Sequence, residues 1–231
     1  MTNQEYLAAV ANALGPLVEE VVFTGGLVVQ EYWTVPALRE PRATVDADVI
    51  VEAATYVEYT AFGRRLGERG FSQQASAGTP PYRWIKDDLV LDVMPLDPDV
   101  LGFTNPWYRS GVTRAAQVRL SDAVAIRILD APHFLASKLE AYRGRGGEDP
   151  YMSHDLEDVV SVVAGRPGTV EETKAADPEL ADWISAALAS VFPEGRRVEM
   201  VAAHMDPRVP IGLPEVVARR ITELIERSEA T

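Results

Sequence analysis

Apolar side chains recur at helical spacing near the start of the chain and then give way to a short run of β-forming residues. The apolar stripe from Tyr6 to Leu14 predicts an amphipathic helix over residues 3–14. Residues 21–23 are all apolar β-formers, and they end at Thr24-Gly25-Gly26. The apolar and aromatic residues after the glycines, as far as Trp33, predict a further helix. The pattern is therefore helix, strand, glycine turn and helix.

The middle of the chain carries mostly strand signals. Acidic and apolar residues alternate over Asp46–Val51, which is typical of a strand with two different faces. Residues 55–69 predict a helix that Gly70 ends. The polar pair Asp87-Asp88 separates two apolar runs and predicts an antiparallel hairpin. The predicted strands after the first cover residues 46–51, 82–86, 89–94, 116–120 and 124–129.

Strand signals stop at Pro132, and helical spacing takes over. Glycine- and proline-bearing loops separate the helical segments, and residues 36–41 are expected to form an earlier loop. Strands and helices followed by helices alone predict an α+β fold, with a mixed β-sheet core over residues 1–130 and a helical C-terminal part over 131–231. The predicted helices of that part cover residues 132–143, 151–164, 178–191 and 214–228.

Composition narrows the class of protein. Of 231 residues, 47% are hydrophobic and 25% charged, as in ordinary globular proteins. The formal net charge of −13 argues against a whole-surface footprint for nucleic acid or anionic lipid, although a local basic channel stays compatible with it. No apolar run reaches the roughly 18 residues of a membrane span, and the N-terminal segment lacks a basic, apolar export signal, so a cytoplasmic protein is expected. Without cysteine, any metal is held by carboxylates or by the three histidines, which favours a hard cation.

Two carboxylates form the sharpest chemical feature. Asp46 and Asp48 stand at i and i+2 of a predicted strand and therefore project from one face, while the opposite face, beginning at Val45, is apolar. Asp92 interrupts the apolar run Leu89–Met94 in a second strand, where a lone carboxylate is costly. If the two strands are neighbours, three carboxylates converge, as required to hold Mg²⁺ against triphosphate oxygens. The alternative is that Asp46 and Asp48 are solvated strand-end acids and that Asp92 lies on an edge strand.

The glycine turn and two C-terminal helices add further candidates. Backbone N–H groups at Gly25-Gly26 suit a close approach of phosphate, although a tight turn with positive φ explains the same pair. Lys138 falls in the middle of an apolar helical stripe. On the next helix the predicted stripe begins at Met152, which places Asp155 at its edge and points Asp158 away from it. A buried Lys138–Asp155 ion pair is the structural alternative to a functional role. Arg83 and Lys86, in the hairpin, are expected to be exposed.

Taken together, these motifs resemble the nucleotidyltransferase superfamily that includes DNA polymerase β, and more closely the AbiEii and MenT type of toxin nucleotidyltransferase. The resemblance covers residues 20–165. It lies in Thr24-Gly25-Gly26, residues 42–49 with Arg42, Thr44 and the two acids, Leu91-Asp92-Val93, the Lys138 helix and the Asp155 helix. The 20-residue spacing from Gly26 to Asp46 is long for the superfamily.

The resemblance implies transfer of a nucleoside monophosphate from ATP or another NTP to an acceptor hydroxyl. It implies Mg²⁺ or Mn²⁺ on Asp46, Asp48 and Asp92, with Asp92 either a third ligand or the catalytic base. Nucleotide binding is implied for Thr24, Gly25, Gly26, Arg42, Thr44, Lys138 and Asp155. The implied acceptors are a tRNA 3′-end or a protein, and the implied partner is an antitoxin protein. Two alternatives stay open: an aminoglycoside-type small-molecule nucleotidyltransferase, which suits the acidic charge, and a non-catalytic acidic interaction module.

Overall fold

The computed structural model describes residues 1–35, 41–73, 80–122, 124–146 and 149–226. Its strands all precede Ala131, and in the described residues after that point helices are the only regular elements. This confirms the predicted α+β class with a helical C-terminal part. The chain divides into two compact units. The first comprises Met1–Val28 and Arg42–Asp130, and the second comprises Val29–Pro41 and Ala131–Thr231. Within the described residues, no helix combines the length and apolar character needed to cross a membrane.

The first unit is built on a mixed six-stranded sheet in the order β3-β4-β2-β1-β6-β5. The pairs β2–β4 and β1–β6 are parallel, and the other neighbouring pairs are antiparallel. The apolar run at 21–23 is a strand as predicted, and all four residues of β1, one of the two central strands of the sheet, are buried. The strands are β1 (Val21–Thr24), β2 (Ala47–Val51), β3 (Arg83–Lys86), β4 (Leu89–Pro95), β5 (Ala116–Arg119) and β6 (Ala125–Ile128).

Helices α1 (Asn3–Leu14) and α2 (Tyr56–Glu68) lie where the sequence predicts them. Each begins with a reciprocal capping box, in which a threonine at the N-cap and a glutamate three residues later satisfy backbone N–H groups that a helix leaves free. The helix predicted after Gly25-Gly26 is a 3-10 helix, Gly26–Tyr32, rather than an α-helix. Among the described residues of this unit, periodicity did not predict three short helices: the 3-10 helix Gly15–Glu20, α3 (Pro98–Leu101) and α4 (Tyr108–Arg114).

The second unit is helical. Trp33 anchors the early segment of this unit, because its indole Nε1 donates to the carbonyl of Ser161 at 3.2 Å and its ring lies where Gly165 lacks a Cβ. Helix α6 begins at His154, later than predicted, and Met152 is 73% exposed outside it rather than part of a buried stripe. Residues 36–40 of the predicted loop and the predicted end of the last helix lie outside the described residues. The helices are α5 (Ala131–Gly144), α6 (His154–Gly165), α7 (Thr169–Lys174), α8 (Pro178–Val191), α9 (Arg197–Ala203) and α10 (Leu213–Ile225).

Candidate active site

A row of polar residues crosses four neighbouring strands of the sheet. Thr24 of β1 pairs with Asp48 of β2, Asp48 pairs with Asp92 of β4, and Asp92 pairs with Arg83 of β3. Register partners on adjacent strands project from the same face of a sheet. Strand pairing therefore brings together Asp48 and Asp92, which are 44 residues apart in sequence. The adjacency of their strands, on which the three-carboxylate prediction depended, is present.

The glycine turn lies directly against Asp48. Gly25 has a φ of +78°, and a Cβ placed on it would lie 1.9 Å from Oδ2 of Asp48 and 2.8 Å from its Cγ. Only glycine meets both conditions without strain, since it tolerates positive φ and leaves this space open. The turn explanation of the glycine pair is thus correct for Gly25. The missing Cβ also allows the Asp48 carboxylate to lie on the backbone of the turn.

Arg83 joins two of the three carboxylates. Its Nε and Nη2 donate to the two oxygens of Asp92 at 2.8 and 2.7 Å, and Nη2 also donates to Oδ2 of Asp46 at 3.0 Å. Asp92 is only 4% exposed, whereas the side chains of Arg83 and Asp46 are about one-third exposed. Hydrogen bonding to Asp92 raises the pKa of Arg83 further, so the guanidinium keeps its charge. The expectation that Arg83 would simply be exposed is wrong.

A signal for Arg83 was present in the sequence. The hairpin turn is the two-residue pair Asp87-Asp88, and Asp87 has the positive φ of 51° that such turns require. A two-residue turn fixes the register of the strands, so Arg83 must lie opposite Asp92. A buried carboxylate opposite an arginine is expected to form an ion pair, because an unpaired buried charge is costly.

Helix α1 holds the segment that leads into the acidic strand. The Asn3 side chain donates to the carbonyl of Arg42 at 2.9 Å and accepts from the backbone N–H of Thr44 at 3.1 Å. The Tyr6 hydroxyl accepts from the N–H of Val90 at 2.7 Å and lies 3.0 Å from the carbonyl of Val45. Burial raises the pKa of Tyr6, which keeps its hydroxyl neutral and able to donate. The predicted nucleotide-binding residues Arg42 and Thr44 are thus held through their backbone.

Helix α2 contacts β4 at the residue that follows Asp92. The hydroxyl of Tyr59 is buried and donates to the carbonyl of Val93 at 3.0 Å. Burial raises the pKa of Tyr59 to about 12, and the nearby Asp92 carboxylate acts in the same direction. Val45, which was expected on the apolar face of the acidic strand, is 75% exposed, because it precedes β2, whereas Ala47 and Val49 of the same face are buried.

The donor chemistry at this end of the sheet suits a hard divalent cation, since it offers three aspartate carboxylates and oxygen ligands are what Mg²⁺ prefers. Across the described ranges, however, no group of three or more His, Cys, Asp or Glu side chains is arranged to hold a metal ion. Asp46 and Asp92 share the guanidinium of Arg83 instead. The three carboxylates are therefore of the kind that Mg²⁺ prefers, but in this arrangement Arg83 takes up Asp46 and Asp92.

The second unit contains a separate buried charge cluster on α5 and α6. The ammonium of Lys138 lies 2.7 Å from Oδ2 of Asp158 and 3.3 Å from Oδ1 of Asp155. The Nε of Arg145 lies 2.9 Å from the other oxygen of Asp155. Lys138 and both aspartates are at least 91% buried, so the predicted burial of Lys138 is confirmed. The prediction that Asp158 points away is wrong: it lies one helical turn from Asp155, on the same side, and both carboxylates meet the ammonium.

Comparison of the sequence with known proteins found no relative. No protein-family model matches the chain, and no curated protein matches it.

Proposed function

We propose that the chain is a metal-dependent nucleotidyltransferase, which moves a nucleoside monophosphate from ATP or another NTP to an acceptor hydroxyl. The observation that carries the proposal is the polar row of the sheet, in which Asp48 and Asp92 are register partners and Asp46 reaches the same guanidinium as Asp92. The resemblance of the glycine turn and the acidic strand to the nucleotidyltransferase superfamily supports it.

Each carboxylate has a role that its position suits. Asp46 and Asp48 are the shared ligands of Mg²⁺ or Mn²⁺, and Asp92 is a third ligand or the base. Bound metal neutralises triphosphate charge and acidifies the acceptor hydroxyl. The acceptor oxygen bonds to the α-phosphorus as the bond from that phosphorus to the bridging oxygen breaks. Pyrophosphate leaves with the electron pair, and the hydroxyl proton passes to Asp92 if that residue is the base.

The glycine turn contributes space rather than a helix dipole. Gly25 carries no side chain where the Asp48 carboxylate lies, and Gly26 begins a seven-residue 3-10 helix. That space holds the Asp48 carboxylate against the backbone of the turn, and phosphate binding by Gly25 and Gly26 enters the proposal through the resemblance. Arg42 and Thr44 precede the acids on a segment that Asn3 fixes, and they are the proposed contacts for the incoming nucleotide.

Lys138 and Asp155 enter the proposal through the resemblance, in which the lysine neutralises phosphate charge and the aspartate orients the nucleotide. The contacts of Lys138 favour the structural alternative, since its ammonium is shared between two buried carboxylates. Titration of a Lys138→Met variant with a nucleoside triphosphate separates the two roles, because only the phosphate role lowers triphosphate affinity.

The net charge of −13 bears on the acceptor. RNA affinity depends largely on neutralising phosphate charge, which an acidic protein supplies poorly. A cationic small acceptor of the aminoglycoside type suits this charge. The resemblance points instead to a tRNA 3′-end or a protein as the acceptor, with an antitoxin as the restraining partner. The acceptor assay below distinguishes these classes.

The test is incubation of the chain with each of four α-labelled nucleoside triphosphates, Mg²⁺ or Mn²⁺, and either total tRNA, a protein mixture or an aminoglycoside panel. Label should appear in one acceptor class, and Asp48→Asn should abolish it because a metal ligand loses its charge without a change in volume. Asp88→Asn is the matched control, because Asp88 is an exposed residue in the turn of the same hairpin as Asp92.

A second readout does not depend on finding the acceptor. A nucleotide that binds the folded chain with Mg²⁺ should raise its melting temperature, and the rise should require both components. Absence of labelled product in every arm, together with absence of Mg²⁺-dependent stabilisation by any nucleotide, would overturn the proposal in favour of an interaction module.

A further inference from the structure

Arg83 occupies the oxygens that a divalent cation would need. The planar pair of donors on its guanidinium, Nε and Nη2, binds both oxygens of Asp92, and Nη2 also donates to Oδ2 of Asp46. Bidentate arginine–carboxylate pairs are among the stronger polar contacts in proteins, and this one is partly shielded because Asp92 is buried. A cation that coordinates Asp46 and Asp92 must therefore displace these hydrogen bonds.

We infer that Arg83 is an internal competitor of the divalent cation, and that its guanidinium must leave Asp46 and Asp92 before those carboxylates can bind metal. This inference rests on the proposed function, in that it takes the three aspartates as the metal site. It adds a residue that the motif resemblance does not include, located on the hairpin strand β3.

Displacement is favoured when a triphosphate arrives with the metal. Asp46 and Asp92 then exchange the guanidinium of Arg83 for the metal ion. The released guanidinium gains phosphate oxygens as new hydrogen-bond acceptors, and arginine binds phosphate in the same bidentate manner as it binds a carboxylate. Since Arg83 lies in the same strand row as Asp92 and Asp48, those oxygens need only approach the polar row. Metal alone offers the guanidinium no new acceptor. Metal and triphosphate are therefore expected to bind cooperatively.

The test measures binding of Mn²⁺ alone, by calorimetry and by the loss of free Mn²⁺ signal in electron paramagnetic resonance. Arg83→Met removes the charge and should tighten Mn²⁺ binding at least tenfold. Arg83→Lys keeps the charge but loses the bidentate hydrogen bonding, and should give a smaller gain in Mn²⁺ affinity. The matched control is Lys86→Met, which removes a positive charge from the same strand at a position that pairs with Leu89 rather than with an acid.

Folding of Arg83→Met is checked in the same experiment. Without the guanidinium the buried Asp92 lacks its arginine partner, so the variant should melt below the wild-type protein in chelator and should regain stability when Mn²⁺ is added. The Arg83→Lys variant keeps a cation at this position and provides a second, better-folded measurement.

The outcomes separate this inference from the proposed function. Equal Mn²⁺ affinity in wild type, both Arg83 variants and Lys86→Met would overturn the competitor role, even if the wild-type protein transfers nucleotides. Tighter Mn²⁺ binding in the Arg83 variants supports the competitor role, even if no acceptor is ever labelled. Prior binding of a nonhydrolysable triphosphate should raise wild-type Mn²⁺ affinity more than that of Arg83→Met, and the reverse result would refute the cooperative step.

Discussion

Replacement of Gly25 by alanine tests the geometry around Asp48 most directly. Two costs are expected. The first is conformational, since alanine at a φ of +78° costs about 1–2 kcal/mol. The second is steric, because the new Cβ would lie 1.9 Å from Oδ2 of Asp48 and 3.0 Å from its Cβ, so rotating the carboxylate away does not remove the whole overlap. Overpacking of this kind adds about 1–3 kcal/mol.

Gly102→Ala isolates the first cost. Gly102 has a nearly identical φ of +82° and belongs to the same unit, but a Cβ there would have no atom within 4 Å. We therefore expect Gly102→Ala to lower the free energy of unfolding by about 1–2 kcal/mol, and Gly25→Ala to lower it by about 2–5 kcal/mol. Urea denaturation followed by circular dichroism measures both values.

A double-mutant cycle identifies Asp48 as the source of the difference. Asp48→Ala removes the Cγ and the carboxylate but keeps the Cβ, so in that background the cost of Gly25→Ala should fall toward that of Gly102→Ala. If Gly25→Ala costs no more than Gly102→Ala, and the same with and without Asp48, then the carboxylate does not lie on the turn.

Two further predictions concern the second unit. Lys138→Met should lower the free energy of unfolding by about 3–5 kcal/mol, because it removes the ammonium that lies 2.7 Å from the buried Asp158 carboxylate. In chemical denaturation, adding Asp158→Asn should recover much of that loss. Equal losses in the single and double variants would contradict the ion-pair interpretation. Burial lowers the pKa of His204 from its ordinary value of 6.5, so the stability that the neutral imidazole contributes is present above that pH and is lost as the pH falls through the lowered folded value. His204→Gln should flatten this acid limb in a curve of the free energy of unfolding against pH. Identical acid limbs for the wild-type protein and His204→Gln would refute the assignment.

Local patterns predicted the elements of the first unit well. The stripe from Tyr6 to Leu14 and the alternation over Asp46–Val51 each depend on neighbouring residues, and the corresponding helix and strand are present. Periodicity needs about two helical turns to be visible, which explains why helices of four to seven residues such as α3 and α9 were not predicted.

Contacts between segments that are distant in the sequence could not be predicted from local patterns. The pairing of Asp48 with Asp92 was only conditional in the sequence, because nothing local shows that β2 and β4 are neighbours. The hydroxyl of Tyr6 fixes two strand segments, yet the sequence shows this residue only as part of an apolar stripe. Asp158 was misplaced because a helix packed on several sides has no clear polar face, and its cation comes from another helix.

The polar row also has a consequence for the order in which the first unit folds. Arg83 and Asp92 are nine residues apart and meet through a two-residue turn, so their ion pair forms with a hairpin, an event of about 1–10 μs. Asp48 joins Asp92 only when the 37-residue connection between β2 and β4 closes, and closing so long a loop costs more conformational entropy and is slower. Arg83 therefore neutralises the charge of Asp92 before β2 pairs with β4 and brings the like charge of Asp48 next to it. Arg83, which we propose as a competitor of the metal in the folded protein, is expected to act during folding as a counterion that permits the acidic strands to assemble.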